Sequence, residues 1–156
     1  MTSKNAITIN QLKLACRHVE EMIAAGVTEN LAIRTLELFA DVYAKFRVVG
    51  NTSPHHVSHV KLWSIKAKKV REGMPDAKPK HYFRVEHGTP RRAFARNVMA
   101  LYHRGELDEA TMSDTVQRDY RLAVITVQED EKLNKVARSK KFQTPEERWT
   151  AAGIEF

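Results

Sequence analysis

The strongest constraint on the fold is an unbroken run of strand-forming residues in the last third of the chain. Leu122-Ala123-Val124-Ile125-Thr126-Val127 predicts the clearest strand in the sequence. Thr126 and Glu129 have the spacing of a capping box, in which each side chain bonds the backbone of the other residue. The strand is therefore predicted to run straight into a helix that contains Leu133 and Val136.

A second strand-like segment ends in an acid–histidine pair and restarts as a basic helix. The segment is Tyr82-Phe83-Arg84-Val85-Glu86-His87-Gly88-Thr89-Pro90-Arg91-Arg92. It places a carboxylate, an imidazole and several guanidinium groups close together, as sites that bind metal and phosphate do. The same residues also fit a plain turn, in which Gly88 takes a positive φ and Thr89 caps the following helix.

The rest of the chain mostly has the apolar spacing of helices. The stripe from Thr28 through Phe46 is so wide, with Leu31 and Leu38 in it, that this helix is predicted to be the central core element. The fold class is predicted to be mainly α (α+β), a helical bundle with a short two-stranded β element. The predicted elements are helices over 10–25, 28–46, 54–72, 90–104 and 110–121, strands over 81–86 and 122–127, and two final helices that begin near Thr126 and Thr144.

A chain of 156 residues with 42% hydrophobic residues can bury the core of a single domain, 1–156. A breaker-rich linker over 73–80 suggests two subdomains, a helical one over 1–73 and a ββα-like one over 81–156. The single cysteine, Cys16, forms no intramolecular disulfide and fits a small core residue in a reducing compartment. No segment approaches the roughly 20 apolar residues of a membrane span, so a cytoplasmic protein without a membrane partner is expected.

The net charge of +7 is concentrated in one part of the chain. Between Lys61 and Arg92 there are ten Lys and Arg against three Asp and Glu, so this segment carries the whole excess. Such a concentration predicts a nucleic-acid-binding surface, although an acidic protein or plain solvent would also suit it. The predicted nucleic-acid-binding residues are Lys61, Lys66, Lys68, Lys69, Arg71, Arg84, Arg91, Arg92 and Arg96.

The order of strand, acid–histidine pair, second strand and acidic helix resembles the ββα-metal, or HNH-type, nucleases over residues 82–90 and 122–135. The resemblance implies that Glu86 is a metal ligand, that His87 is the general base, and that Asp130 or Asn134 is the ligand from the helix. The cofactor would be magnesium, manganese or zinc. The final helix lacks the family's usual histidine, so a form that binds without cutting fits equally well. Acids in a first helical turn also favour the helix dipole without any metal.

Residues 121–156 loosely resemble small uncharacterised proteins of prophages and other mobile elements. That resemblance implies nucleic-acid transactions or interference with a host system. The sequence therefore predicts a nucleic-acid-binding protein, with a metal-dependent HNH-like endonuclease of a phage or mobile element as the sharper version. The alternative is a basic interaction protein that docks on an acidic partner and inhibits a host nucleic-acid-processing or defence complex.

Overall fold

Helices dominate the computed structural model, which describes residues 6–50, 57, 60–73, 79–137 and 140–156. A small sheet accompanies them, which confirms the predicted mainly α (α+β) class. The described elements are α1 (Ile9–Ala24), α2 (Glu29–Ala32), α3 (Arg34–Val49), β1 (Leu62–Trp63), α4 (Ile65–Gly73), α5 (Pro79–Tyr82), β2 (Phe83–His87), α6 (Arg91–His103), α7 (Glu109–Arg118), β3 (Leu122–Thr126), α8 (Val127–Ala137) and α9 (Pro145–Ala151).

Side-chain caps explain where several helices begin. The Thr8 hydroxyl accepts from the Gln11 amide at 3.1 Å, and the Gln11 side chain accepts from the Thr8 amide at 2.9 Å, so α1 starts with a complete capping box. The Thr144 hydroxyl caps α9 by accepting from the Glu147 amide at 3.2 Å. These bonds satisfy amides that have no partner inside the helix. Thr144 also confirms the helix start that the sequence predicted there.

The predicted helix over 28–46 is interrupted at Ile33, which separates α2 from α3. Thr28 has the extended backbone of a cap residue, but its side chain makes no capping hydrogen bond. Leu36 and Tyr43 of α3 are buried as expected. Leu31 and Leu38 are each 56% exposed, so the predicted core stripe is wider than the surface that the fold covers.

Three strands form the sheet, in the order β1-β3-β2. The central strand β3 is buried along its whole length. It pairs parallel with β1, where Val124 lies opposite Trp63, and antiparallel with β2, where Val124 lies opposite Val85. The prediction of a two-stranded element was wrong because β1 lies within the predicted helix 54–72. Helix α4 begins at Ile65, after β1. Residues 54–56 and 58–59 lie outside the described residues.

Pairing with β3 explains why residues 62–63 form a strand and are not part of the predicted helix. Trp63 sits at helical spacing from Val60 and Ala67, but its ring packs edge-on against Phe83 of β2, with centroids 5.2 Å apart. Its indole nitrogen donates to the Val60 carbonyl at 2.8 Å. A two-residue strand that turns directly into α4 preserves the apolar spacing, so sequence periodicity alone does not separate it from a helix.

Contacts group the chain into two compact units, each built from two segments. The helical unit comprises Met1–Thr52 and Pro90–Arg118, and the sheet unit comprises Ser53–Thr89 and Asp119–Phe156. These boundaries differ from the predicted subdomains 1–73 and 81–156, because β1 belongs to the sheet of β3 whereas α6 and α7 pack on α3. Of the predicted linker 73–80, Gly73 ends α4, 74–78 lie outside the described residues, and α5 begins at Pro79. The single-domain prediction stays a prediction.

Each unit has its own core. In the helical unit, α1 contributes Leu12, Cys16 and Val19, all at most 1% exposed. In the sheet unit, one cluster joins β3 to the last two helices and the C-terminal residues, and it consists of Ala123, Ile125, Leu133, Trp149, Ala152 and Ile154. None of the described helices has the length and apolarity needed to cross a membrane.

The chain carries a natural reporter for each unit, and these test the single-domain prediction. Burial, with a smaller effect of Glu20, raises the pKa of the Cys16 thiol to about 12, so we expect it to resist alkylation until the helical unit unfolds. Both tryptophans, Trp63 and Trp149, report on the sheet unit by fluorescence. One cooperative domain predicts that thiol labelling and fluorescence follow the same urea transition. Clearly separated midpoints would contradict it.

Candidate functional site

The acid of the predicted catalytic pair is held in a nearly buried ion pair. Arg148 of α9 donates from Nη1 to Glu86 Oε1 and also to the His87 carbonyl oxygen, the latter at 3.1 Å. The two side chains of the pair are only 10% and 12% exposed. Arg148 therefore fastens α9 to the end of β2, and the Glu86 carboxylate already has a cationic partner.

The surroundings of Glu86 explain the protonation behaviour of its carboxyl group. Burial raises the pKa of Glu86, and Arg148 counteracts this rise without cancelling it. The negative charge of Asp130 on α8 acts on Glu86 in the same direction as burial. Asp130 in turn accepts a long hydrogen bond of 3.5 Å from the Asn134 amide. The predicted metal ligands therefore lie on two elements, β2 and α8, that contact each other.

The grouping of possible metal-binding side chains bears on the predicted metal site. Within the described part of the chain, no three His, Cys, Asp or Glu side chains are grouped so that they could hold one metal ion. A metal at Glu86 would also have to share the carboxylate with Arg148, whose positive charge opposes its binding. Glu86, Asp130 and Asn134 stay predicted ligands, and magnesium, manganese or zinc stays a predicted cofactor.

His87, the predicted general base, lies at the last position of β2, opposite Leu122 of β3. Its ring packs edge-on against Tyr120, with centroids 5.3 Å apart and planes at 65°. The Nε2 atom is buried. A general base must reach the water that it deprotonates. The buried Nε2 therefore favours a packing role, and catalysis by His87 stays a prediction.

The turn after His87 is shaped by close packing. Gly88 does not have a positive φ, contrary to the turn interpretation. A Cβ atom at Gly88 would lie 2.7 Å from the Pro145 Cβ, so glycine is needed here for the close approach of α9. Thr89 does not cap α6 either, because its hydroxyl donates to the Asp119 carbonyl at 2.6 Å and the cap position is Pro90.

Replacing Gly88 with alanine tests this close approach. Because the proline ring is rigid, we expect Gly88→Ala to reduce the free energy of unfolding by about 1–3 kcal/mol. Gly73→Ala is the matched control, since a Cβ there meets nothing within 4 Å and the backbone is not left-handed. Urea unfolding followed by tryptophan fluorescence measures both variants. Equal stability of the Gly88 variant and the parent protein would refute the packing argument.

A basic helical face is the other candidate site. Ala67 of α4 is fully buried, and α4 packs against β3. The cations of this helix are exposed, as are Lys61 just before β1 and Arg84 on β2. The exposed cations of α4 are spread around the part of its circumference that does not pack on the sheet. We call these four residues together the α4 basic face, which consists of Lys66, Lys68, Lys69 and Arg71.

Two linked caps fix the start of α4. The Ser64 hydroxyl accepts from the Ala67 amide at 3.1 Å and donates to Glu129 Oε1 at 2.6 Å. Glu129 Oε1 also accepts from the Thr126 amide at 3.0 Å, and the Thr126 hydroxyl accepts from the Glu129 amide at 3.1 Å. The capping box that the sequence predicted for α8 therefore also holds the first turn of α4. Sequence reasoning missed Ser64, although a serine before an apolar helical stripe is a usual cap signal.

Arg71 is held by an aromatic ring. Its guanidinium carbon lies 4.6 Å from the centroid of the Trp63 ring, within the range of a cation–π contact. Trp63 is only 6% exposed, so its ring supports Arg71 and is not free to stack on a base. The contact restricts Arg71 to fewer conformations than a free arginine has.

The three predicted nucleic-acid-binding arginines of α6 make ion pairs inside the helical unit. Their partners are acids of α2 and α3, and one of these, Asp41, is 3% exposed and also accepts from Lys45 at 2.8 Å. These arginines therefore bind α6 to its neighbours, and phosphate binding by them stays a prediction. The pairs, with N–O distances of 3.2, 2.6 and 2.7 Å, are Arg91–Asp41, Arg92–Glu37 and Arg96–Glu29.

Comparison with known proteins gives no further guide. The chain matches no protein-family model, no curated protein and no solved structure.

Removing Arg148 tests whether the ion pair at Glu86 is structural. We expect Arg148→Met to cost about 3–5 kcal/mol, because it leaves a nearly buried carboxylate without its cation. Adding Glu86→Gln should recover at least about 1 kcal/mol of that loss in a double-mutant cycle. Independent, additive effects of the two changes would contradict the pairing.

The same variant has a predicted pH dependence. Loss of Arg148 removes the group that lowers the pKa of Glu86, so burial raises it further above the usual 4.5. A carboxyl whose folded-state pKa is raised stabilises the fold at low pH and loses that contribution as the pH rises through its folded-state pKa. The destabilisation by Arg148→Met should therefore be smaller at acidic than at neutral pH.

Proposed function

We propose that this chain is a nucleic-acid-binding protein and that the α4 basic face contacts the phosphate backbone, together with Lys61, just before β1, and Arg84 on β2. The observation that carries the proposal is the construction of α4. One side of the helix is packed on the central strand and its first turn is capped, while the cations Lys66, Lys68, Lys69 and Arg71 are exposed.

The charge of the sheet unit supports this choice. It contains 15 Lys and Arg against 10 Asp and Glu, a net charge of +5, whereas the helical unit contains 11 against 9, a net charge of +2. Most of the positive excess therefore belongs to the unit that carries α4. A positive potential over one surface attracts a polyanion and raises its association rate.

Pairing of the cations distinguishes α4 from α6. Within the described residues, none of Lys66, Lys68 and Lys69 takes part in an ion pair, whereas Arg91, Arg92 and Arg96 each have an acidic partner. A lysine without an acidic partner can meet a phosphate without first breaking an internal bond. We therefore assign the phosphate contacts to α4 and a packing role to the arginines of α6.

Lysine contacts imply binding without strong sequence preference. Phosphate contacts position a protein on nucleic acid, while sequence is read by contacts to base edges. The α4 basic face has three lysines, which act as point charges, and an arginine that lies over Trp63. We infer that the affinity depends mainly on charge and salt.

A charge-matched pair of variants tests the site. Lys66→Gln/Lys69→Gln removes two exposed charges of α4, and Lys132→Gln/Lys135→Gln removes two exposed charges at the same spacing on α8. For duplex DNA we expect the α4 variant to reduce the slope of log K against log salt by about 2, because each phosphate contact contributes about 0.9. The control should change the slope little. Fluorescence anisotropy measures both, with circular dichroism to confirm folding.

Two outcomes of this experiment would contradict the proposal. Equal losses in the two variants would show that only the overall charge matters and would refute the α4 site. No association of the parent protein with duplex or single-stranded nucleic acid at low salt would refute the proposed function. That result would favour the alternative function, in which the same face docks on an acidic protein and inhibits it.

Metal-dependent cleavage, as in the HNH-type nucleases, is a separate proposal. It rests on the neighbourhood of Glu86, Asp130 and Asn134, and it requires that a metal ion bind the Glu86 carboxylate in competition with Arg148. Binding through α4 does not depend on it, since the α4 basic face and the acid–histidine pair use different residues.

A further inference from the structure

The helical unit exposes apolar side chains around a groove between α1 and α3. Leu14 of α1 is 53% exposed and Leu38 of α3 is 56% exposed. Single exposed leucines are common on protein surfaces. Here they accompany a cavity of about 270 Å³ whose lining includes Leu14, Ala15 and Phe39. Leu38 lies one helical turn from Thr35, which also lines the groove.

The size of the groove indicates what it can accept. Its volume of about 270 Å³ is below the roughly 300–1,000 Å³ of most small-molecule sites. It is open and lies between two helices, so it suits a few side chains that project from another helix. Helix-in-groove contacts of this kind are a common mode of protein association.

The rim of the groove carries charges of both signs. Arg17 and Glu21 of α1 line it, one helical turn apart, and their side chains are 62% and 69% exposed. Their closest charged atoms are 3.6 Å apart, a weak surface pair that a binding partner can replace. In a two-fold symmetric contact, residue i of one chain meets residue j of the other and the reverse. Arg17 of each chain can then meet Glu21 of the other.

We propose that this face of the helical unit binds a second copy of the chain about a two-fold axis. The same surface supplies a groove, protruding leucines and one charge of each sign, so it is complementary to itself. The helical unit has a net charge of only +2, against +5 for the sheet unit. Association through the helical unit therefore meets the smaller electrostatic repulsion.

Sedimentation velocity over a range of concentrations tests the dimer, with two variants of the same helix. Leu14→Glu places a charge in the groove and should weaken self-association by about 100-fold or more, because the charge would lose its water on binding. Ile23→Glu is the control. Ile23 is 46% exposed and nine residues from Leu14, which places it on the opposite side of α1. We expect that variant to dimerise like the parent protein.

A charge exchange tests the symmetry of the contact. Arg17→Glu and Glu21→Arg should each weaken self-association by about tenfold or more, since each would place like charges opposite each other. An equimolar mixture of the two variants should regain the parent affinity, because one chain then supplies two acids and the other two bases. Both positions are exposed, so folding should be unaffected, and circular dichroism checks this.

Three experimental results would contradict the proposed dimer. A parent protein that stays monomeric at every accessible concentration would overturn it, as would loss of dimer in the Ile23 control equal to that of Leu14→Glu. A mixture that does not regain affinity would overturn the two-fold pairing. None of these results depends on nucleic-acid binding, which uses residues of the sheet unit.

Discussion

The buried carboxylate of Glu129 is the interaction on which the sheet unit most depends. One of its oxygens accepts both from the Ser64 hydroxyl and from the Thr126 amide, and the side chain is 3% exposed. Removing a charge from water is costly unless hydrogen bonds replace the lost water. The two strands that precede these caps are parallel neighbours, β1 and β3. A single acid therefore connects the first turns of both following helices, α4 and α8.

This arrangement explains why α4 can present cations to solvent. A short helix with many charged residues is marginal by itself, and most helical stability comes from packing and capping. Ser64 caps α4, Ala67 packs against the sheet, and Trp63 supports Arg71. The basic residues are thus carried by a helix whose position is determined by contacts on its other side. The Glu86–Arg148 ion pair likewise holds α9 against the end of β2.

The sequence predicted best what depends on neighbours along the chain. The Thr126–Glu129 box, the strand before it and the Thr144 cap were all predicted because each signal spans only a few residues. Strand β1 was missed because two residues acquire their strand conformation only by pairing with β3, about 60 positions away. The sequence pattern also did not predict that Arg148 is the partner of Glu86. Arg148 near the end of a short helix has the pattern of a surface residue, and only the fold places it beside β2.

The proposed function requires that the exposed side of α4 meet a polyanion. The most direct measurement is a two-dimensional ¹H–¹⁵N NMR titration of the protein with a short DNA duplex in dilute buffer. We expect the backbone amides of Lys66 to Arg71 to shift first and most, those of Lys132 to Lys135 in α8 to stay nearly unchanged, and added salt to reverse the shifts. Shifts confined to other parts of the chain, or none at all, would contradict it.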